Sequence, residues 1–327
     1  MREPTAIEWY RGKRVCVTGS TGLIGSYVVA VLKASGAWVR ANFHTRAMTH
    51  PCKSLADRRC SFDLMVPGGA EELVSGCEIV IGCAGITGGA GLHAVDPLGF
   101  VGPATTMVEN TLHACHLEKV ERFGFISSTT VYPPSDEPVR EGYETTGPPY
   151  EGYWGVGESK RWLEKLCRYY HEKVGLKVAV IRPSGVYGRH DNFDERTGHV
   201  IPGMLNRAMA LKPGETFEIW GDGGDVRDFV HASDVARGLL LAVSKSEDAD
   251  PFNIASGRPV TTGELALRVL DAVGRPGEGF TTRPDKPTAL RTRLVDISKA
   301  RRVLGYEPEI TLAEGLADTV AWRRAQS

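Results

Sequence analysis

The chain has 327 residues, which at roughly 150 residues per domain allows two domains or one large one with ample core. Hydrophobic residues at 42% and charged residues at 24% form an ordinary globular balance that excludes wholesale disorder. Lys+Arg 39 against Asp+Glu 40 leaves a formal charge of -1, so no global basic field exists for wrapping nucleic acid.

The opening stretch, MREPTAIEWYRGKRVCVTGS, has no apolar segment of a secretory signal. The long uncharged run at residues 79–95 is broken by glycines and makes a poor membrane helix. Seven cysteines, all before Arg168 and without a C-x-x-C pair, argue against a disulfide framework and a zinc site. A cytoplasmic protein with no membrane, nucleic-acid or metal partner is expected.

Arg14–Thr18 is a short apolar run, followed by a glycine loop and a helical stretch at Leu23–Ala34. Strand-like runs recur at Trp38–Phe43, Glu78–Cys83, Arg122–Ser127 and Lys177–Ile181, with helical stretches at Ala104–Leu117 and Glu158–Lys173. Repeated βα units with unbroken apolar strands predict an α/β fold, a parallel sheet covered on both faces. After about Pro183 loops lengthen and strand signals shorten, as at Phe217–Trp220 and Phe252–Ile254.

The 38 glycines are in excess of the usual share, and the first cluster of them carries chemistry. Val15-Cys16-Val17-Thr18 runs straight into Gly19-Ser20-Thr21-Gly22-Leu23-Ile24-Gly25. A strand ending at the first glycine and a helix starting at the second leave free N–H groups and a dipole for a pyrophosphate. The bland alternative is a βα turn that needs positive φ. The first reading makes Gly19, Gly22, Leu23, Ile24 and Gly25 cofactor-binding and the fold a Rossmann-type doubly wound sheet. Residues 1–183 are then the dinucleotide-binding domain and residues 184–327 a smaller mixed substrate-binding lobe, with exchange of strand and helix between them.

The second strand ends VRANFHTR, without the acid that NAD enzymes commonly place there; His44 and Arg46 near its tip suit a 2′-phosphate. NADP(H) is favoured, with NAD(H) left open. Asp63 and Leu64 fall where a strand end would contact adenine, and Ala84 beside the nicotinamide ribose.

Further motifs follow in order: ISSTTVY at 126–132, Ser159-Lys160, RPSGVYG at 182–188, RDFVH at 227–231, DISKA at 296–300 and LGYEP at 304–308. With TGSTGLIG they resemble the extended short-chain dehydrogenase/reductase family, the NAD(P)-dependent nucleotide-sugar epimerases, dehydratases and reductases. The stretch RPSGVYGRHDNFDERTGHVIP is most similar to GDP-L-fucose synthase-like members.

The resemblance implies that Ser128 is a catalytic hydroxyl and that Lys160 holds the nicotinamide ribose and lowers a neighbouring phenol's pKa. The family's tyrosine stands four residues before that lysine; here the position is Val156, which cannot exchange a proton. Tyr153 is one substitute, about 10 Å along the axis at 1.5 Å per residue if the helix already runs there. The glycines at 152, 155 and 157 suggest an irregular start. His199, Glu158 or the substrate itself is another source, and a crippled redox step is a third reading.

The dehydratases' Asp-Glu pair is replaced by Thr129 and Thr130, which disfavours 4,6-dehydration. Thr130 also stands where fucose-synthase-like enzymes place a cysteine base, so two-site epimerisation is doubtful, although His199 could serve one centre. Thr130, Arg207, Trp220 and Arg227 are the expected substrate-binding residues, the arginines for a diphosphate. Arg227 could instead pair with Asp225 or Asp228. The expected function is an epimerase or keto-reductase of a nucleotide-diphosphate sugar in a homodimer, with the fucose-synthase-like stretch leaning toward GDP. A non-catalytic dinucleotide sensor or scaffold is the alternative.

Overall fold

The computed structural model describes residues 7–44, 54–86, 96, 98–99, 101–194, 197–286 and 290–326. The first half runs β1 (Arg14–Thr18), α1 (Leu23–Ala34), β2 (Trp38–Phe43), β3 (Arg58–Ser61), α2 (Gly69–Val74), β4 (Ile79–Gly82), α3 (Val101–Leu117), β5 (Arg122–Ile126), α4 (Trp154–Val174) and β6 (Lys177–Pro183). The second half runs β7 (Gly185–Tyr187), α5 (Val200–Ala210), β8 (Phe217–Trp220), β9 (Val226–Arg227), β10 (Phe229–His231), α6 (Ala232–Lys245), β11 (Asp248–Ile254), β12 (Val260–Thr261), α7 (Thr262–Ala272), β13 (Phe280–Arg283), β14 (Thr292–Arg293) and α8 (Leu312–Arg324).

Seven strands form one sheet in the order β11-β6-β5-β4-β1-β2-β3, and every pairing in it is parallel. This is the doubly wound α/β sheet that the repeated βα pattern predicts. From β1 the chain winds outward to β3, then returns to β4 on the other side. The strand order therefore reverses between β1 and β4, and the crevice beyond their carboxyl ends is where such sheets bind ligands.

The period-2 alternation of the strands divides the core in two. Val15, Val17, Ile79 and Ile81 pack on one face with α1 and α6. Cys16, Val80 and Phe123 pack on the other with Leu112 of α3 and Leu163 of α4. Each such side chain contributes about 1.5–3 kcal/mol on burial.

Two strands differ from the pattern read in the sequence. β3, Arg-Arg-Cys-Ser, carries no apolar run because it is an edge strand with only Cys60 buried. β11 begins four residues before the expected Phe252, since it pairs along β6 through an irregularity between Asp248 and Pro251. With α6 packed on α1, residues 232–254 thus serve the large sheet. The remaining short strands pair as β7 with β10, β12-β9-β14 and β8 with β13, around a third core that includes Leu205, Phe217, Leu265 and Leu316. Among the described residues no helix is long and apolar enough to cross a membrane.

Candidate active site

The glycine loop is built by close approach rather than by turn geometry alone. Gly19 has φ +58, and a Cβ there would lie 2.6 Å from the Ala84 backbone after β4. Thr18 Oγ1 fastens the two strand ends by accepting from the Cys83 and Ala84 amides at 3.1 and 3.0 Å. Gly25 needs no unusual φ, yet a Cβ on it would sit 2.3 Å from the Gly19 carbonyl oxygen. Gly22 is the N-cap of α1 and supplies no side-chain cap, so the first-turn amides of Leu23, Ile24 and Gly25 face outward for a ligand. A pyrophosphate fits this cradle, whose close backbone packing leaves no room for a side chain at Gly19 or Gly25.

The outer end of the cradle rests on β2. Ser20 donates through its amide and hydroxyl to the Asn42 carbonyl at 3.0 and 2.8 Å. The Asn42 side chain pairs in turn with the Phe62 backbone, at 2.9 and 3.2 Å. His44 Nε2 lies 3.7 Å from Asp63 Oδ2, so the tip of β2 and the segment after β3 meet as one surface. Leu64 is buried, and its carbonyl accepts from Asn110 Nδ2 of α3. Arg46, Gly88, Gly89 and Gly91 lie outside the described residues. Arg40, which the sequence reading did not single out, is buried and donates to the Leu73 and Ser75 carbonyls.

At the other end, Ser128 is extended backbone capping a short turn at Thr129–Val131. Its Oγ accepts from the Thr130 amide at 3.1 Å, leaving its own proton to donate. Lys160, on α4, donates from Nζ to the Ile126 carbonyl at 2.8 Å and stands 4.8 Å from the Phe125 ring centre. Burial pushes its pKa down to about 8 against the charge of Glu164.

One helical turn further, Glu164 accepts from Ser127 Oγ at 2.5 Å and from Arg182 Nε and Nη2 at 2.9 and 2.6 Å. Arg182, only 1% exposed, also donates to Glu144 and to the Tyr132 hydroxyl, which donates to Asn253 Oδ1. This buried network ties β5, α4, β6 and β11 together beneath Ser128 and Lys160. Tyr132 is no substitute for the missing phenol: burial pushes its pKa up and its proton is committed to Asn253.

Val156 lies one turn before Lys160, and α4 starts at Trp154 without interruption at Gly155 or Gly157. Gly157 is required by packing, since a Cβ there would lie 2.6 Å from the Thr130 carbonyl and 2.5 Å from Pro149. Tyr153 is the residue just before the helix, with its ring 5.8 Å from that of Tyr150 and beneath the Arg293 guanidinium at 5.2 Å. It lines a small cleft, partly open to solvent, together with Thr129, Thr130, Leu290, Thr292 and Arg293. Glu158, the other helix candidate, is paired with Arg161 at 3.1 Å.

His199 is not part of that cleft's lining. It caps α5, and its Nδ1 is 2.8 Å from Oδ1 of the buried Asp191. Burial alone would lower the imidazole pKa, but the hydrogen bond and charge of Asp191 outweigh it and raise the value. Asp191 was not legible as a partner because no helix or strand spacing links position 191 to position 199. Arg207 stands exposed on the last turn of α5, and Trp220 is 55% exposed at the end of β8. Arg227 donates to the carbonyls of Val226, Leu290 and Arg291 and pairs with Asp225 at 3.3 Å.

Comparison with known proteins matches this geometry. The family model described as the NAD dependent epimerase/dehydratase family matches residues 15–255. A dTDP-4-dehydro-6-deoxy-D-allose reductase from a Streptomyces species is 31% identical over 98% of each chain. The GDP-L-fucose synthase of Escherichia coli K12 is 27% identical over 95% of this chain and 96% of its own. Among solved structures, the UDP-glucose 4-epimerase of Thermotoga maritima superposes with a TM-score of 0.80 at 26% identity, covering 95% of this chain and 99% of that one. The chain thus belongs to a family of enzymes, the NAD dependent epimerase/dehydratase family.

Proposed function

We propose that the protein is a cytoplasmic NADP(H)-dependent reductase of a nucleotide-diphosphate keto-sugar. The observation that carries this reading is the convergence of the glycine cradle, Lys160 and the Ser128 loop at the carboxyl edge of one sheet. When bound, the dinucleotide supplies or accepts a hydride at a ring carbon. Ser128 donates to the sugar oxygen as it gains charge, and Lys160 orients the cofactor's ribose. Tyr153 or His199 supplies the proton that Val156 cannot.

Reduction is favoured over epimerisation because a two-centre proton exchange needs two bases, and Thr130 is a poor one. His44 at the tip of β2 supports NADP(H) over NAD(H). The exposed Trp154, Trp162 and Tyr169 of α4 support a homodimer through that helix.

The test is a panel of GDP-, UDP- and dTDP-linked keto-sugars with either cofactor, followed at 340 nm and by product mass. Stoichiometric loss of reduced cofactor is expected; turnover with no net absorbance change would replace the reductase with a redox-neutral epimerase. Val156 favours a second reading, a dinucleotide sensor, for which calorimetry would register NADP(H) but no nucleotide sugar. Unchanged turnover in Tyr153→Phe would end that residue's candidacy as proton donor.

A further inference from the structure

Residues 189–193, on the way from β7 to His199, belong to no helix or strand, and α8 holds them. Arg189 forms a two-pronged ion pair with Asp318 of α8, its Nε 2.7 Å from Oδ2 and its Nη2 on Oδ1. The next residue, His190, meets Trp322 edge to face with ring centres 4.9 Å apart. Phe193 lies 5.9 Å from the same indole and beneath the Arg323 guanidinium at 5.2 Å. Asp318 and Trp322 are four residues apart and so share one face of α8. Asn206 of α5 ties the far end, donating to the Phe193 carbonyl at 2.5 Å and accepting from Arg323 Nε at 3.4 Å.

Within this grip the backbone is strained. His190 has φ +64, in the left-handed region that a β-carbon disfavours. Such a conformation costs about 1–3 kcal/mol and persists only where its surroundings over-determine it. The residue that follows is Asp191, whose side chain is 1% exposed. Its Oδ1 meets His199 Nδ1 and the Asn192 amide, and its Oδ2 is buried without a hydrogen-bond partner among the described residues. With so few partners of its own, the carboxylate takes its direction from the backbone that α8 holds. Asp191 is the charged group that acts on His199, while Asp194 on the same segment accepts from the Thr197 amide and hydroxyl. His231, 3.9 Å from Asp318, has its pKa lowered by burial, which leaves Arg189 as the cation that Asp318 holds near neutral pH.

We propose that Asp318 and Trp322 are positioning residues: from one face of α8 they hold residues 189–193 so that the Asp191 carboxylate stays on His199 Nδ1. Both act through Arg189 and His190 rather than on a substrate atom. For its bearing on the reaction the inference rests on the reading above, in which His199 is one of two sources of the proton that Val156 cannot supply.

The experiment is an NMR titration of isotope-labelled histidines in the full chain, with His199→Gln to assign the His199 signal. Asp318→Asn and Trp322→Ala are expected to move the His199 midpoint to lower pH, toward that of Asp191→Asn, because burial is then less opposed. Trp322→Phe, which keeps a ring for His190, should restore most of the wild-type value. Leu316→Ala is the control for lost stability alone, since Leu316 is buried in the third core on the opposite face of α8. A wild-type midpoint in both Asp318→Asn and Trp322→Ala, or an equal move in Leu316→Ala, overturns the proposal. A wild-type midpoint in one of the two removes that residue from it. Melting temperature and NADP(H) affinity report whether each variant is folded, and Trp322→Leu carries the test if the first two are not. On a keto-sugar that turns over, the alkaline limb of kcat/KM should follow the midpoint, with a loss of about 10-fold above it. A limb that stays while the midpoint moves removes His199 from the proton path and leaves the hold of α8 on the Asp191–His199 pair intact.

Discussion

His199 Nδ1 and Asp191 Oδ1 are 2.8 Å apart, so a buried carboxylate holds the imidazole and directs Nε2 away from it. The same bond fixes the tautomer, with the proton on Nδ1 when the ring is neutral. Asp191 also accepts from the Asn192 amide at 2.7 Å, which pins the carboxylate.

Replacing Asp191 with Asn removes the upward push on His199 and leaves burial to lower its pKa. The stabilising ion pair in the wild type is complete below the ordinary histidine value and fades as pH rises through the raised one. If His199 is the acid, Asp191→Asn moves the alkaline limb of kcat/KM to lower pH and reduces kcat/KM about 10-fold or more. A pH–rate profile with an unmoved limb would remove His199 from the proton path.

Lys160 has the opposite sign. Its pKa is pushed down to about 8 by burial, so the folded protein releases a proton that the unfolded chain keeps up to the ordinary lysine value. Stability therefore rises with pH from about 8 across that window. Dinucleotide affinity should move the other way, weakening as the ammonium is lost above about pH 8. Fluorescence titration of NADPH should record that limb in wild type and not in Lys160→Met.

The glycine loop offers a graded series. A methyl on Gly25 would lie 2.3 Å from the Gly19 carbonyl oxygen, whereas one on Gly22 would lie 3.2 Å from it. Gly25→Ala is expected to cost about 1–3 kcal/mol of stability and most of the NADP(H) affinity. Gly22→Ala should cost distinctly less of both. Equal effects in thermal melts and cofactor titrations would mean that close approach is not what selects glycine here.

Arg182 is held between Glu164 and Glu144 at 2.6 and 2.8 Å. Arg182→Met strands both carboxylates in low-dielectric surroundings and is expected to destabilise the fold by about 3–5 kcal/mol. Chemical denaturation measures this directly. A loss below about 1 kcal/mol would show the network to be dispensable, as surface pairs often are.

Trp162 is 52% exposed on α4, with its indole N–H 3.4 Å from Glu109 of α3. If this face joins two copies, Trp162→Glu should convert a dimer to a monomer in sedimentation velocity. A wild-type protein that is already monomeric ends the dimer proposal.

Local pattern was enough for much of this molecule. The β1–glycine loop–α1 unit, the two-faced burial of Val15, Cys16 and Val17, and the absence of a phenol at position 156 were all legible in the sequence. Each is decided by residues within a few positions of one another, where strand alternation, helix periodicity and glycine geometry act. The tertiary structure alone decided which side chains meet. It turned Tyr153 toward Arg293, gave His199 its partner in Asp191, and fastened Arg227 to a carbonyl 63 residues away at Leu290. Those contacts depend on how distant strands return beside one another, and charge pairing leaves no periodic trace in the chain. The near-balance of 39 basic and 40 acidic residues therefore says nothing of which of them meet.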